Sequence, residues 1–107
     1  MKASIEADLK PTENAKHVEQ AIKKIFPDAK LEVLSSEIKG HASLNKFAEL
    51  VKKQELQGII KRELEDKSYL DLHKIAAVAG KIGLDEEFPL GKIRVHIENS
   101  YEFLKEL

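Results

Sequence analysis

Ile5, Ala7 and Leu9 alternate with Glu6, Asp8 and Lys10 near the start of the chain. Alternation with a period of two predicts a half-buried strand, because successive side chains point to opposite faces. Pro11-Thr12 ends that strand, and Thr12 is placed to cap a following helix. Val18, Ala21, Ile22, Ile25 and Phe26 then recur at helical spacing, and Pro27-Asp28 stops the helix after Phe26. Leu31 to Ile38 predicts a second strand whose pattern changes phase. Leu31 and Val33 share one face, whereas Leu34, Ser36 and Ile38 share the other, so a bulge near Val33-Leu34 or burial of both faces at one end is expected.

Gly40 and Ser43 punctuate the chain, and Ser43 is a candidate N-cap. Leu44, Phe47, Ala48, Leu50 and Val51 form one helical stripe; Leu56, Ile59, Ile60 and Leu64 form another. The two are out of phase across Lys52-Lys53-Gln54-Glu55, which predicts a kink or two abutting helices. Leu70 and Leu72 face away from Tyr69, Asp71 and His73, giving a third strand. Ile75 to Ala79 fits a short helical turn or a buried strand segment, and periodicity does not decide between them. Ile82 and Leu84 read as a strand after Gly80. Ile93, Val95 and Ile97, alternating with Arg94, His96 and Glu98, are the clearest strand of all. The echo of GKIGL in GKIRV suggests that these two strands pair, joined by the acidic loop Asp85-Glu86-Glu87 and the turn Pro89-Leu90-Gly91. Asn99 with Glu102 resembles a capping pair, ahead of a short helix docking Phe103, Leu104 and Leu107.

This order predicts a single α+β domain over residues 1–107, a mostly antiparallel sheet with helices packed on one face. Its 107 residues fit one domain. A chain of this size buries roughly 65% of the surface its unfolded form exposes, enough for a core. With no cysteine, disulfides, thiolate zinc sites and thiol nucleophiles are excluded. Apolar runs are too short for a membrane span, and Met1-Lys2 leads directly into a strand pattern rather than an apolar leader. A cytoplasmic location with no membrane partner is the expectation.

The net charge of −1 is not that of a general polyanion binder. Its distribution is uneven, however. Residues 39–81 carry nine Lys/Arg against six Asp/Glu, whereas residues 82–107 carry three against six. The central third is the one phosphate-facing candidate. The blander alternative is that these lysines only solvate helix faces.

Catalytic signatures are weak. Glu6 and Asp8 share a strand face, but nothing forces two carboxyls to converge in a cleft. His73 and His96 fall on the polar phase of predicted strands, and with Asp71 or Asp8 they would make a zinc set only if those strands were neighbours. His17 and His41 add no ligand spacing. Ser35-Ser36 lacks a nucleophile-elbow setting, and Gly80, Gly83 and Gly91 form no phosphate-binding glycine loop. No cofactor, metal or small-molecule substrate is expected. Tyr69 is the single aromatic on a polar strand face, so multi-base stacking is not expected and RNA contact would rest on backbone and shape.

The blocks IEADLKPTE, SLNKFAELVKKQELQGIIKREL, HKIAAVAGKI and EEFPLGKIRVHIE resemble, in order and spacing, an uncharacterised archaeal family of small proteins carrying an RNA-binding label. The resemblance covers nearly the whole chain and is sharpest at Lys46-Phe47 and Pro89-Leu90-Gly91. It implies an α+β fold similar to part of the ribosomal protein that binds 5S rRNA, no catalytic activity, and association as a homodimer. The chain departs from the pattern at His73 and Ile75, which flank Lys74 where more polar residues are expected, and in its low net basicity. The resulting expectation is a non-enzymatic domain that contacts structured RNA. Lys52, Lys53, Lys61, Arg62, Lys74 and Lys81 would hold phosphates, with Lys92 and Arg94 further out. The alternative is a homodimeric protein-interaction module that binds no nucleic acid.

Overall fold

The computed structural model describes residues 1–84 and 91–107. Five strands and five helices follow one another in this part of the chain. They are β1 (Lys2–Asp8), α1 (Ala15–Ile25), β2 (Lys30–Val33), β3 (Glu37–Ser43), α2 (Asn45–Lys53), α3 (Gln57–Glu63), β4 (Tyr69–His73), α4 (Lys74–Val78), β5 (Lys92–Ile97) and α5 (Ser100–Lys105). The strands form one sheet in the order β2-β3-β1-β5-β4, and every neighbouring pair is antiparallel. This is the expected α+β domain.

One face of the sheet is apolar on all three inner strands. Ala3, Ile5 and Ala7 of β1, Ile38 and Ala42 of β3, and Ile93, Val95 and Ile97 of β5 are buried beneath the helices, as are Leu70 and Leu72 of β4. The alternating residues on those strands are exposed or half-buried. From above, α1 contributes Val18, Ala21, Ile22 and Ile25, and α2 contributes Phe47, Ala48, Leu50 and Val51. Phe26, Phe47 and Phe103 stack in a row, with centroid separations of 5.4 and 5.9 Å, so that three distant segments meet at the centre of the core.

The phase change read in Leu31 to Ile38 is neither a bulge nor a doubly buried strand. It is a hairpin. Residues 34–36 turn the chain between β2 and β3, closed by the Leu34 N–H donating to the Glu37 carbonyl at 2.8 Å. Reversing direction sets Leu31 opposite Gly40 and Val33 opposite Ile38 on the apolar face, where Ile38 is buried, Leu31 half-buried and Val33 exposed. Gly40 of β3 lies against β2 so closely that a Cβ there would stand 2.1 Å from the Lys30 carbonyl oxygen, which explains a glycine inside a strand.

Three capping and strand expectations are corrected. Asn14, not Thr12, caps α1, its Oδ1 accepting from the Lys16 N–H at 2.9 Å. Ser43 ends β3, and Leu44 takes the cap position of α2 with no side-chain bond. Ile82 and Leu84 are not in a strand, and GKIGL does not pair with GKIRV. The segment instead runs beside β4, where the His73 N–H donates to the Gly83 carbonyl at 3.0 Å. The acidic loop Asp85-Glu86-Glu87 and residues Pro89-Leu90 lie outside the described residues. The Asn99 cap is present, with Oδ1 accepting from the Glu102 N–H at 3.1 Å.

The out-of-phase stripes of residues 44–64 correspond to two abutting helices. Glu55 makes the break, with a left-handed φ of 58°. That conformation costs a side-chain-bearing residue roughly 1–2 kcal/mol. Replacing Glu55 with glycine removes the penalty but adds unfolded-state entropy. Urea unfolding of Glu55→Gly is therefore expected to show a gain of roughly 0.5–1 kcal/mol. Phe47→Ala, which empties the middle of the aromatic stack, is expected to lose about 3–5 kcal/mol in the same measurement.

Candidate nucleic-acid interface

The open face of the sheet carries polar residues on all five strands. Its register sets Glu32 beside Lys39, Lys39 beside Glu6, Glu6 beside Arg94, and Arg94 beside Asp71. A row of alternating sign thus crosses all five strands. Lys2, Lys30, Lys39, Lys92 and Arg94 on this face are matched by Glu6, Asp8, Glu32, Glu37 and Asp71. Opposite charges on neighbouring strands satisfy one another, so this face is not a polyanion surface.

Lys92 and Arg94 are engaged in that row. Arg94 forms a two-pronged contact with Asp71, from Nε at 2.8 Å and from Nη2 at 3.1 Å. Lys92 Nζ lies 3.4 Å from the same carboxylate. Burial pushes the Asp71 carboxyl up, but the Arg94 hydrogen bonds and charge, with Lys92, outweigh it and hold the group below its ordinary value. The Arg94 guanidinium also sits 4.2 Å from the Tyr69 ring centroid, and Lys67 Nζ 5.1 Å from it. Tyr69 is therefore flanked by cations. The ring neighbour of His96 is Tyr69, at 5.7 Å, while His73 pairs with Lys92. The two histidines are not side by side, which corrects the arrangement a zinc set would need. Among the described residues no three His, Asp or Glu side chains come together as a metal set.

Lys74 is also placed differently from expectation. It is 4% exposed, the one buried charged residue among those described. Its ammonium donates to the Asp8 carbonyl and to Glu13 Oε1, the latter at 2.9 Å. This ties the end of β1 and the approach to α1 to the start of α4. Burial raises the Glu13 carboxyl, but the Lys10 N–H and the Lys74 ammonium together bring it below its usual value. An enclosed ammonium with two acceptors is a structural cation, not a phosphate contact. Beside it, Val18, Ala21, Ile75 and Val78 line an apolar groove of about 300 Å³ between α1 and α4.

The remaining expected residues are Lys52, Lys53, Lys61, Arg62 and Lys81. All five are exposed and take part in no ion pair among the described residues. Lys52 and Lys53 occupy the last turn of α2, and Lys61 and Arg62 that of α3. Cations there also favour the negative end of the helix dipole. Lys81 comes from a different segment, yet it is brought to the end of α2 by Gln54. The Gln54 side chain accepts from the Ile82 N–H at 2.9 Å and donates to the Ile82 carbonyl at 3.2 Å. An amide thereby imitates a strand partner and holds the residue that follows Lys53 to the residue that follows Lys81. Sequence reasoning missed this link, because nothing in a lone glutamine announces a partner 28 positions away. It also passed over Lys23, exposed in the last turn of α1, whose signal is the basic pair it forms with Lys24.

Fold and surface together define a small one-sided α+β domain with exposed cations in the last turns of α2 and α3. A family model described as RNA binding matches residues 2–99, and the chain belongs to that family, with archaeal UPF0201 proteins as its relatives. A UPF0201 protein of Methanothermobacter thermautotrophicus is 30% identical over 108 residues, covering 92% of this chain and 82% of the relative. One from Pyrococcus abyssi is 28% identical, covering 87% and 77%. The crystal structure of the UPF0201 protein from Methanococcus jannaschii superposes with a TM-score of 0.85 at 30% identity, covering 99% of this chain and 97% of that one. No helix among the described residues is long and apolar enough to cross a membrane.

The buried ion pair generates a test. Removing one partner of a buried pair leaves the other uncompensated, so Lys74→Met is expected to cost about 3 kcal/mol. The double variant Lys74→Met/Glu13→Gln should cost less than the two single changes added together. A carboxyl held low contributes stability that is complete above its unfolded pKa, near 4, and is lost as pH falls through the folded value. Acid titration of unfolding should therefore show a shallower loss in Lys74→Met than in the unaltered chain.

Proposed function

We propose that this domain binds structured RNA through backbone contacts from Lys52, Lys53, Lys61, Arg62 and Lys81, without catalysing a reaction. The observation that carries the reading is the contrast between the two surfaces. On the open sheet face Lys39, Lys92 and Arg94 stand beside carboxylates, whereas these five are exposed and take part in no ion pair among the described residues. Membership of an RNA-binding family supports it. Lysine and arginine without stacking aromatics select for phosphate and helical shape, not for base sequence. Lys74 has no part in this surface, and Lys92 and Arg94 would first have to leave Asp71. A second reading is self-association of the domain, favoured by the exposed edge of β2, and the two are compatible.

Titration of labelled transfer or ribosomal RNA is the test. Affinity should fall log-linearly with salt, and the paired variants Lys52→Glu/Lys53→Glu and Lys61→Glu/Arg62→Glu should each weaken binding and flatten the salt slope, by roughly one unit per lost phosphate contact. Lys39→Gln, on the open face, should leave both unchanged. Absence of binding at about 50 mM salt, where such contacts are strong, would end the proposal. So would an open-face variant as damaging as the helix-end variants.

A further inference from the structure

We infer that Tyr69 is a stacking platform for one unpaired base, so that the RNA held at the helix ends is a duplex carrying a bulged nucleotide. The site rests on the RNA contact proposed above and adds what that RNA must contain. Tyr69 is half-buried on β4, an outer strand of the sheet. It ends a row that runs Lys30, His41, Ser4, His96 and Tyr69 across all five strands, and this row holds no carboxylate. The adjacent row, Glu32, Lys39, Glu6, Arg94 and Asp71, holds three. Around the ring stand the Arg94 guanidinium, 4.2 Å from its centroid, Lys67 Nζ at 5.1 Å, and the His96 ring at 5.7 Å. Each is held from behind by an acid. Asp71 grips Arg94 at 2.8 and 3.1 Å, Glu63 holds Lys67 at 2.8 Å, and Glu6 Oε1 lies 3.3 Å from His96 Nε2. A ring with neighbours fixed in this way is pre-organised, and a base that stacks on it orders little that is not already ordered.

Lys67 connects the ring to the helix ends. With Ile59, Arg62, Glu63 and Asp66 it lines a hollow of about 440 Å³. Arg62 is one of the proposed phosphate contacts. It shares this hollow with Lys67, and Lys67 in turn flanks Tyr69, so the two contacts are continuous along one surface. Glu63 and Asp66 disfavour a further phosphate in the hollow, whereas carboxylates accept the amino groups of a base. Inside a duplex both faces of a base are covered by its stacked neighbours. Only a nucleotide that has left the helix can lay a face on tyrosine. One aromatic holds one base, and every base offers a π-face, so the requirement is for an unpaired position and not for a sequence.

Three RNA duplexes of the same stem test the site: one blunt and fully paired, one with a single bulged 5-iodouridine, and one with an abasic bulge. The unaltered chain is expected to bind the iodouridine bulge roughly 5- to 150-fold more tightly than the blunt duplex, the range one stacked base contributes. The abasic bulge bends the stem but offers no base, and should bind like the blunt duplex. Irradiation should cross-link the iodouridine to residue 69. Tyr69→Phe keeps the ring and should retain both the preference and the cross-link. Tyr69→Leu keeps apolar bulk without the ring. It should lose both, with its affinity for the blunt duplex unchanged. Circular dichroism reports the fold of each variant, and the abasic comparison is decisive on the unaltered chain alone. Equal affinity of that chain for the blunt and iodouridine duplexes overturns the inference. So does an abasic bulge that binds as tightly as the iodouridine one, or a preference that survives in Tyr69→Leu. Binding of all three duplexes without preference removes the base site and leaves the helix-end contacts standing. Failure of all three at about 50 mM salt removes both.

Discussion

Burial of only one face of an antiparallel sheet is the constraint on which the rest depends. Side chains two apart along a strand share a face, so each strand must keep its apolar residues in phase with its neighbours or turn them into water. Ile5, Ile38, Val95 and Leu70 obey this across four strands and are all buried. The helices then have one place to go. Their stripes meet that face, and Phe26, Phe47 and Phe103 stack where they converge. The other face is left to polar residues, and its chemistry is decided by register.

Register also explains why similar numbers of lysines and arginines behave differently on the two sides. On the sheet, a carboxylate of a neighbouring strand stands beside Lys39, Lys92 and Arg94, so attraction there is short-ranged and internal. At the ends of α2 and α3 the cations stand in the final turn, with the helix dipole as their stabilising neighbour. A dipole end does not neutralise a charge as a carboxylate does. Lys52, Lys53, Lys61 and Arg62 have no carboxylate partner of that kind among the described residues.

Much of the fold is legible in the residues, and the failures share a cause. Periodicity identifies β1, α1, β4 and β5 because each is a single run with one buried face. It places two helices in residues 44–64 because their stripes disagree in phase. The β2–β3 hairpin is missed because Leu34, Ser35 and Ser36 carry neither glycine nor asparagine, the usual turn signals, so a reversal looks like a dislocation. The segment at Ile82 is misread because its alternation is real while its partners are the Gln54 side chain and one backbone bond from His73. The candidate surface divides similarly. Exposed cations at helix ends are visible from sequence, but Lys74 is not distinguishable from them. Its burial depends on Asp8 and Glu13, both of which the fold brings to it from more than sixty positions away in the chain.

The enclosure of Lys74 has a bearing on chemical footprinting. Acylating and methylating reagents attack the uncharged amine, and an ammonium this shielded, with both contacts directed at oxygen, gives them no approach. A lysine footprint would leave Lys74 unlabelled in the free protein as well as in any complex. Its silence would therefore report folding, while the lysines at the helix ends report contact.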